Sequence, residues 1–170
     1  YLNYNYKSEA KLGYYKVEIF KAYSPYYFDY KEKLLCIVSA MNLVKLLTVE
    51  SQSNVNVFNL IGNLYSIFNI DEWVKEYIFW ELKLLEIVGF NLELNKIAKY
   101  EVINNEKKYF VGSNSEKKYI PNFLIDRDEK KLDKKNLSKG LKLVGDFLEK
   151  NVLKPNNISY PNSRLEFVNL

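Results

Sequence analysis

A chain of 170 residues with no histidine and a single cysteine, Cys36, offers few groups that could carry out chemistry. Without imidazole it lacks the usual general base, and one thiol closes no internal disulfide, so Ser-His and Cys-His catalysis and His/Cys zinc sites are excluded. Gly140 and Gly145 have the G-x-x-x-x-G spacing of a phosphate-binding loop. That loop needs Lys and then Ser or Thr after its second glycine, and Asp146 and Phe147 stand there, so both glycines read as helix interior. Asp126, Asp128 and Glu129 carry the oxygen chemistry that gathers a divalent metal for phosphodiester hydrolysis. Such a site needs carboxylates converging from a rigid scaffold, whereas acids strung along a charged linker read as solvated. Cys36 falls beside an apolar helical stripe and reads as a half-buried structural thiol. No catalytic residue, metal or cofactor is predicted.

Charge and aromatic placement remain. Lys and Arg number 25 against 21 Asp and Glu, a net charge of +4, and the only arginines are Arg127 and Arg164. The chain is also rich in Asn, Ile, Tyr and Phe, whose codons are A/T-rich like those of Lys. The lysine count alone therefore argues little for nucleic acid, and position has to argue it. On a helix that begins early enough, Lys131, Lys135, Lys139 and Lys142 fall within an arc of roughly 80°, with Leu137, Leu141, Val144 and Leu148 opposite. A basic row backed by a core stripe is ordinarily a solvated face, and its functional reading is a set of phosphate contacts. Residues 46–74 hold no basic residue and three acids, Glu50, Asp71 and Glu72, so nucleic acid should avoid that side.

The elements that must position these groups follow from periodicity. The composition is 48% hydrophobic, enough for a real core in one or two domains. There is no apolar run near the roughly 20 residues of a membrane span and no signal-peptide pattern, which predicts a cytoplasmic protein. The first residue is Tyr1 and not Met, which predicts a piece of a longer chain. Alternating residues predict strands over about 2–6 and 14–22, and two strands alone should belong to a larger sheet. Helical spacing follows, with Leu34, Val38, Met41 and Val44 or Lys45 on one stripe and Val57, Ile61, Leu64 and Phe68 on the next. A third helix opens at Asp71 and is capped at Gly89. Short β-rich runs over 100–103, 108–111 and 118–120 predict a hairpin insert at about 95–125. A charged linker over 126–135, a last helix over about 134–153 stopped by Pro155, and an irregular strap over 156–170 complete the chain. The fold class is mostly α with a small β part: a helical bundle with a β-hairpin insert.

Placed at about 100° per residue, 73–88 puts Trp73, Val74, Tyr77, Ile78, Leu82, Leu84, Leu85, Ile87 and Val88 on one wide apolar arc, which predicts a central helix. Glu81 lies inside that arc. A buried carboxylate needs a partner, and Arg164 is the preferred one, with Arg127 second. Lys75, Glu76, Phe79, Lys83 and Glu86 share the opposite face, with Phe79 an aromatic among polar residues. It reads as a stray surface aromatic or a contact with the tail, or else as a docking spot flanked by Lys75 and Lys83 one turn away.

Three segments carry a resemblance to a known family. Leu12-Gly13-Tyr14-Tyr15-Lys16-Val17-Glu18 resembles the close of an N-terminal OB barrel, and Trp80-Glu81-Leu82-Lys83-Leu84-Leu85-Glu86-Ile87-Val88-Gly89-Phe90 resembles a W/F-E-L-x-L-L-x-x-L-G-F/Y signature helix. Gly140-Leu141-Lys142-Leu143-Val144-Gly145-Asp146-Phe147-Leu148-Glu149-Lys150, with Ser163-Arg164, resembles a last helix and terminus. Together they resemble the C-terminal portion of the bacterial RecO recombination-mediator family, closest to its alphaproteobacterial branch. The resemblance implies that residues 1–23 are the last two strands of an OB-fold barrel and 24–170 a helical C-terminal domain. It also implies a non-catalytic, cytoplasmic and nucleoid-associated mediator of the RecF pathway. Such a protein binds single- and double-stranded DNA, anneals strands, docks on the acidic tail of the single-stranded-DNA-binding protein, and with RecR helps RecA load. In that setting Lys16 and Lys21 would join Lys131, Lys135, Lys139 and Lys142 at DNA, and Lys75, Phe79 and Lys83 would hold the partner's tail. Against the family, Phe79 replaces a usual Arg, and two departures matter: the 95–125 insert lacks the four cysteines with which many relatives hold zinc, and most of the N-terminal barrel, a main DNA and RecR surface in the family, is expected to lie outside this sequence. A protein-interaction scaffold without DNA binding is the alternative, and a carboxylate nuclease a distant third.

Overall fold

The computed structural model describes residues 2–5, 14–113, 117–127 and 132–169. Helices begin and end where side chains or glycine satisfy the terminal backbone groups. The helices are α1 (Lys31–Leu47), α2 (Val55–Ile67), α3 (Trp73–Ile87), the single turn α4 (Leu94–Ile97), α5 (Lys134–Leu148) and α6 (Asn162–Val168). Asn54 caps α2 by accepting from Val57 N–H at 3.1 Å, and Asp133 caps α5 by accepting from Asn136 N–H at 2.7 Å. At the end of α3, Gly89 takes φ +93°, and the Phe90 and Gly89 amides donate to the Leu85 and Glu86 carbonyls at 2.8 and 3.1 Å. That is the paired closure a left-handed glycine permits, as the sequence predicts there.

The strands are β1 (Leu2–Asn5), β2 (Tyr14–Val17), β3 (Lys99–Ile103), β4 (Glu106–Val111) and β5 (Lys118–Ile120). β1 and β2 pair antiparallel as a two-stranded sheet, and β3-β4-β5 form an antiparallel three-stranded sheet. Asn104 and Asn105, at φ +53° and +63°, make the tight β3–β4 turn that asparagine tolerates. The chain is thus mostly helical with a small three-stranded sheet. No OB barrel is present among the described residues, nor is the larger sheet expected around β1 and β2. The second strand stops at Val17 and not at 22, and beyond it Ile19 and Phe20 lie 82% and 81% exposed.

The core is built around α3, whose Tyr77, Ile78, Trp80, Leu84 and Leu85 are all buried. Trp80 Nε1–H donates to the Leu60 carbonyl at 2.7 Å and pins α2 to it. α5 approaches closely on another side: a Cβ on Gly140 would sit 2.6 Å from Phe123 Cζ and 3.2 Å from Ile78 Cδ1, so glycine sets the helix separation there. α6 packs along α1, tied by Asn42 Nδ2–H donating to Ser163 Oγ at 2.9 Å. The expected irregular strap is therefore partly a helix. The expected last helix divides into α5, a π-helical turn Glu149–Leu153 and a 3-10 turn Lys154–Asn156 around Pro155.

The α1 stripe needs correction. Val38 is 44% exposed, while Cys36, Ile37, Ala40 and Leu43 are buried, with Cys36 fully so and not half-buried. A helix that is apolar on most sides does not reveal its core face by spacing, and the docking of α6 and α3 selects it.

Candidate functional site

Three places gather the candidate residues. The first is interior. Arg164 of α6 donates from Nη2 to Glu81 Oε2 of α3 at 2.7 Å and to the Leu141 carbonyl of α5 at 3.1 Å, with both side chains at 2% exposure or less. Cys36 of α1 and Tyr77 of α3 complete the cluster, so four helices meet at one ion pair. Burial pushes the Glu81 carboxyl up, and the Arg164 charge pulls it back. Burial and the Glu81 charge drive the Tyr77 hydroxyl and the Cys36 thiol well above their ordinary values, so both stay protonated and unreactive. Glu81 Oε1 and Arg164 Nε and Nη1 have no protein partner among the described residues. This pair fixes geometry, joining α6 to α3, more than it adds stability.

The second place is a groove of about 340 Å³ between α3, the 91–96 segment and the segment after β5. Its floor includes Phe79, Leu82, Leu124 and Ile125, and its cations are Lys83, Lys96 and Arg127. Phe79 meets Phe123 edge-on at 6.2 Å, and the Arg127 guanidinium lies 4.9 Å above its ring. Lys75 is not part of this surface. It is 7% exposed, donates from Nζ to the Arg127 carbonyl at 3.1 Å and lies 3.6 Å from Glu72. Residues 121–127 fold over what the helical wheel makes a polar face, and this burial is a correction to Lys75 as a docking cation. Lys83 is paired with Glu86 at 2.9 Å and Lys96 with Glu93 at 2.6 Å. Arg127 is the residue that sequence reasoning missed in this groove. Its only sequence signal was its rarity.

The third place is the outer face of α5. Lys135, Lys139 and Lys142 are exposed above the buried Leu141, Val144 and Leu148, with Leu137 half-buried. None of the three lysines is in an ion pair among the described residues. Lys134 stands beside them, and Lys139 shares a polar cavity with Lys108 of β4. Lys131 lies outside the described residues, as do Asp128 and Glu129. Lys16 is 3.7 Å from Glu18, and Lys21 sits 4.7 Å over the Tyr23 ring, which stacks at 4.4 Å on Tyr65 of α2. Lys16 is on β2 and Lys21 in the segment after it, so neither shares an element with the α5 row.

Asp126 accepts from the Tyr109 hydroxyl at 2.9 and 3.0 Å, which ties its carboxylate to the sheet. Among the described residues no group of three or more His, Cys, Asp or Glu could hold a metal ion. The insert also does not fit zinc, since it offers no thiol or imidazole and its Glu101 is engaged by Lys117 and Tyr119, which hold its carboxyl below the usual range. No helix among the described residues is long and apolar enough to cross a membrane.

The helical part of this geometry can be set beside known proteins. The family described as "Recombination protein O C terminal" matches residues 31–159, which takes in α1 through α5 and the sheet. The chain belongs to the RecO family. It is 32% identical over 106 residues to the DNA repair protein RecO of Rickettsia canadensis (strain McKiel), covering 61% of this chain and 42% of that protein. It is 23% identical over 150 residues to the RecO of Rhodospirillum centenum, covering 80% and 59% of the two chains. Against the RecO of Ehrlichia chaffeensis it is 24% identical over 191 aligned residues, covering 100% and 78%. The chain thus spans 42% and 59% of the first two RecO relatives. No solved structure matches it. The Trp80-Glu81-Leu82 run lies within the matched residues on α3, the central helix, and Glu81 is the carboxylate that Arg164 meets.

Proposed function

We propose that this chain is the helical portion of a DNA repair and recombination mediator of the RecF pathway, acting by binding and remodelling without bond chemistry of its own. The observation that carries the reading is the RecO family match over 31–159. The exposed row Lys135, Lys139 and Lys142 lends it a physical form, since a line of ammoniums with no ion pair among the described residues suits sequence-independent phosphate contact. Single- and double-stranded DNA are the polyanions, with Lys131, Lys16 and Lys21 as further contacts. The tail of the single-stranded-DNA-binding protein and RecR are the protein partners, and RecA loading and strand annealing the outcome, in the cytoplasm at the nucleoid. The β1–β2 pair is assigned to an OB barrel over 1–23, and 24–170 to the helical domain. The exposed Val17, Ile19 and Phe20 suit strands whose apolar side chains belong against more sheet.

The groove over Phe79 is assigned to the acidic, aromatic-ended tail, with Lys83 and Arg127 as its cations. Arg127 brings back, from another segment, the guanidinium that Phe79 displaces.

Salt dependence tests the DNA reading against a scaffold without DNA binding. Changing Lys135, Lys139 and Lys142 to Ala should flatten the slope of log K against log salt by about 0.7 to 0.9 per lost contact. A slope unchanged in the triple variant removes the row from the site.

A further inference from the structure

A cavity of about 440 Å³ opens beside the α5 row, where the starts of α3 and α5 meet the end of α6. Its apolar wall is Trp73, Val74, Leu137, Leu141 and Phe167, with the Trp73 and Phe167 rings 6.1 Å apart. Its rim holds three ammoniums, Lys134, Lys135 and Lys142, against one carboxylate, Glu32. Ser138 and Asn169 add a hydroxyl and an amide to the wall. An occupant must therefore combine a flat apolar body, a few polar edges and negative charge outside the cavity.

Two kinds of molecule meet that description: a base of a nucleic acid strand, and the aromatic end of an acidic peptide. The placement of charge favours the first. Lysines continue past the cavity mouth to Lys139 and Lys108, which line the neighbouring polar cavity of about 550 Å³. From Lys135 to Lys142 the helix rises about 10 Å, so the basic row outruns a single anionic terminus and suits a polyanion. A stacked duplex keeps its bases in the helix, so only a single strand can offer one without unpairing.

We infer that this cavity seats one unstacked base of a single strand whose phosphates follow the α5 lysines, with Trp73 beside the base. The inference rests on the reading of that row as a DNA contact and adds to it a strand preference with a structural cause. Lysines alone hold duplex and single strand alike; the cavity discriminates because it admits a base.

Titrating the 170-residue chain with an oligothymidylate of about 15 nucleotides, matched to the site sizes of single-strand binders, tests this through tryptophan emission. Trp80, the other tryptophan, is 2% exposed, so a change in emission at saturation reports on Trp73. Quenching is expected with the oligothymidylate and not with a blunt duplex. Ser138→Phe, which fills the cavity, should weaken single-strand binding roughly tenfold while leaving duplex binding and the salt slope as in wild type. The wild-type emission needs no variant and stands even if Ser138→Phe misfolds. DNA binding at the wild-type slope with unchanged emission overturns the base cavity and leaves the lysine row intact. A triple lysine variant that binds as wild type overturns the row itself. Quenching by an acidic, aromatic-ended peptide but not by the oligothymidylate assigns the cavity to a peptide and overturns the inference.

Discussion

Glu81 and Arg164 show how one residue pair can organise a small domain. A carboxylate in the middle of an apolar helix face is costly unless it is matched, and the match comes from 83 residues further along the chain. Removing one partner strands the other, so Glu81→Ala should cost on the order of 3 to 5 kcal/mol in urea unfolding, while Glu81→Leu with Arg164→Met should cost clearly less. Equal losses in the single and double variants would mean that the charge was never the issue. The pair also carries a pH signature. Burial raises the native carboxyl, so the folded chain keeps a proton there at pH values where the unfolded chain has lost it. Glu81's contribution is therefore full below the ordinary carboxylate range, about 4.3, and declines as pH rises through the raised native value. The stability difference between wild type and Glu81→Gln should accordingly narrow as pH rises above about 4. A difference that is flat or widens over that range contradicts the assignment. Tyr160, pushed up to about 12 by burial, stays neutral throughout and does not confuse the measurement.

At the scale of elements, the decisive event is the folding of 121–127 over α3. Phe123 is fully buried, and with it Phe79 becomes a half-buried ring with Arg127 above it, while Lys75 turns inward to the Arg127 carbonyl. The groove that results has an apolar floor and a planar, always charged group at its edge, the combination suited to an aromatic-ended acidic peptide. A fluorescently labelled tail peptide should bind Phe79→Ala and Arg127→Ala at least several-fold more weakly than wild type. Lys75→Ala should act on stability and not on the peptide. Equal binding by all of these variants would take the tail elsewhere. The lysine row on α5 is simpler, because a helix with one strongly apolar side leaves no choice about which side its lysines occupy.

Over the whole molecule, charge is segregated. The α5 face gathers lysines with no ion-pair partner among the described residues, whereas residues 46–70, which include α2, carry no base and one acid, Glu50. DNA should therefore meet one side only. Acetylation footprinting read by mass spectrometry should find Lys134, Lys135, Lys139 and Lys142 protected when DNA is added, with Lys83 and Lys96 in the Phe79 groove still reactive. Protection spread evenly over all lysines would indicate a diffuse coat in place of a site.

How much was legible beforehand follows from the range of the interactions involved. The start of α5, the glycine that closes α3, the Asn104-Asn105 turn, the burial of Glu81 and the polarity of α5 follow from residues within a few positions of each other, so the sequence by itself determined them. Periodicity failed on α1, where apolar residues surround the helix and packing chose Cys36 and Ala40 over Val38. It failed also on α3, where a wheel drawn for an isolated helix cannot know that a later segment will bury Lys75. The cavity between α3, α5 and α6 has no local signature at all, since its walls come from residues 32 to 169. Tertiary structure alone decided it. Which surfaces close and which stay open depends on contacts between distant segments, and those are settled by the mutual fit of whole elements and not by the preferences of any one of them.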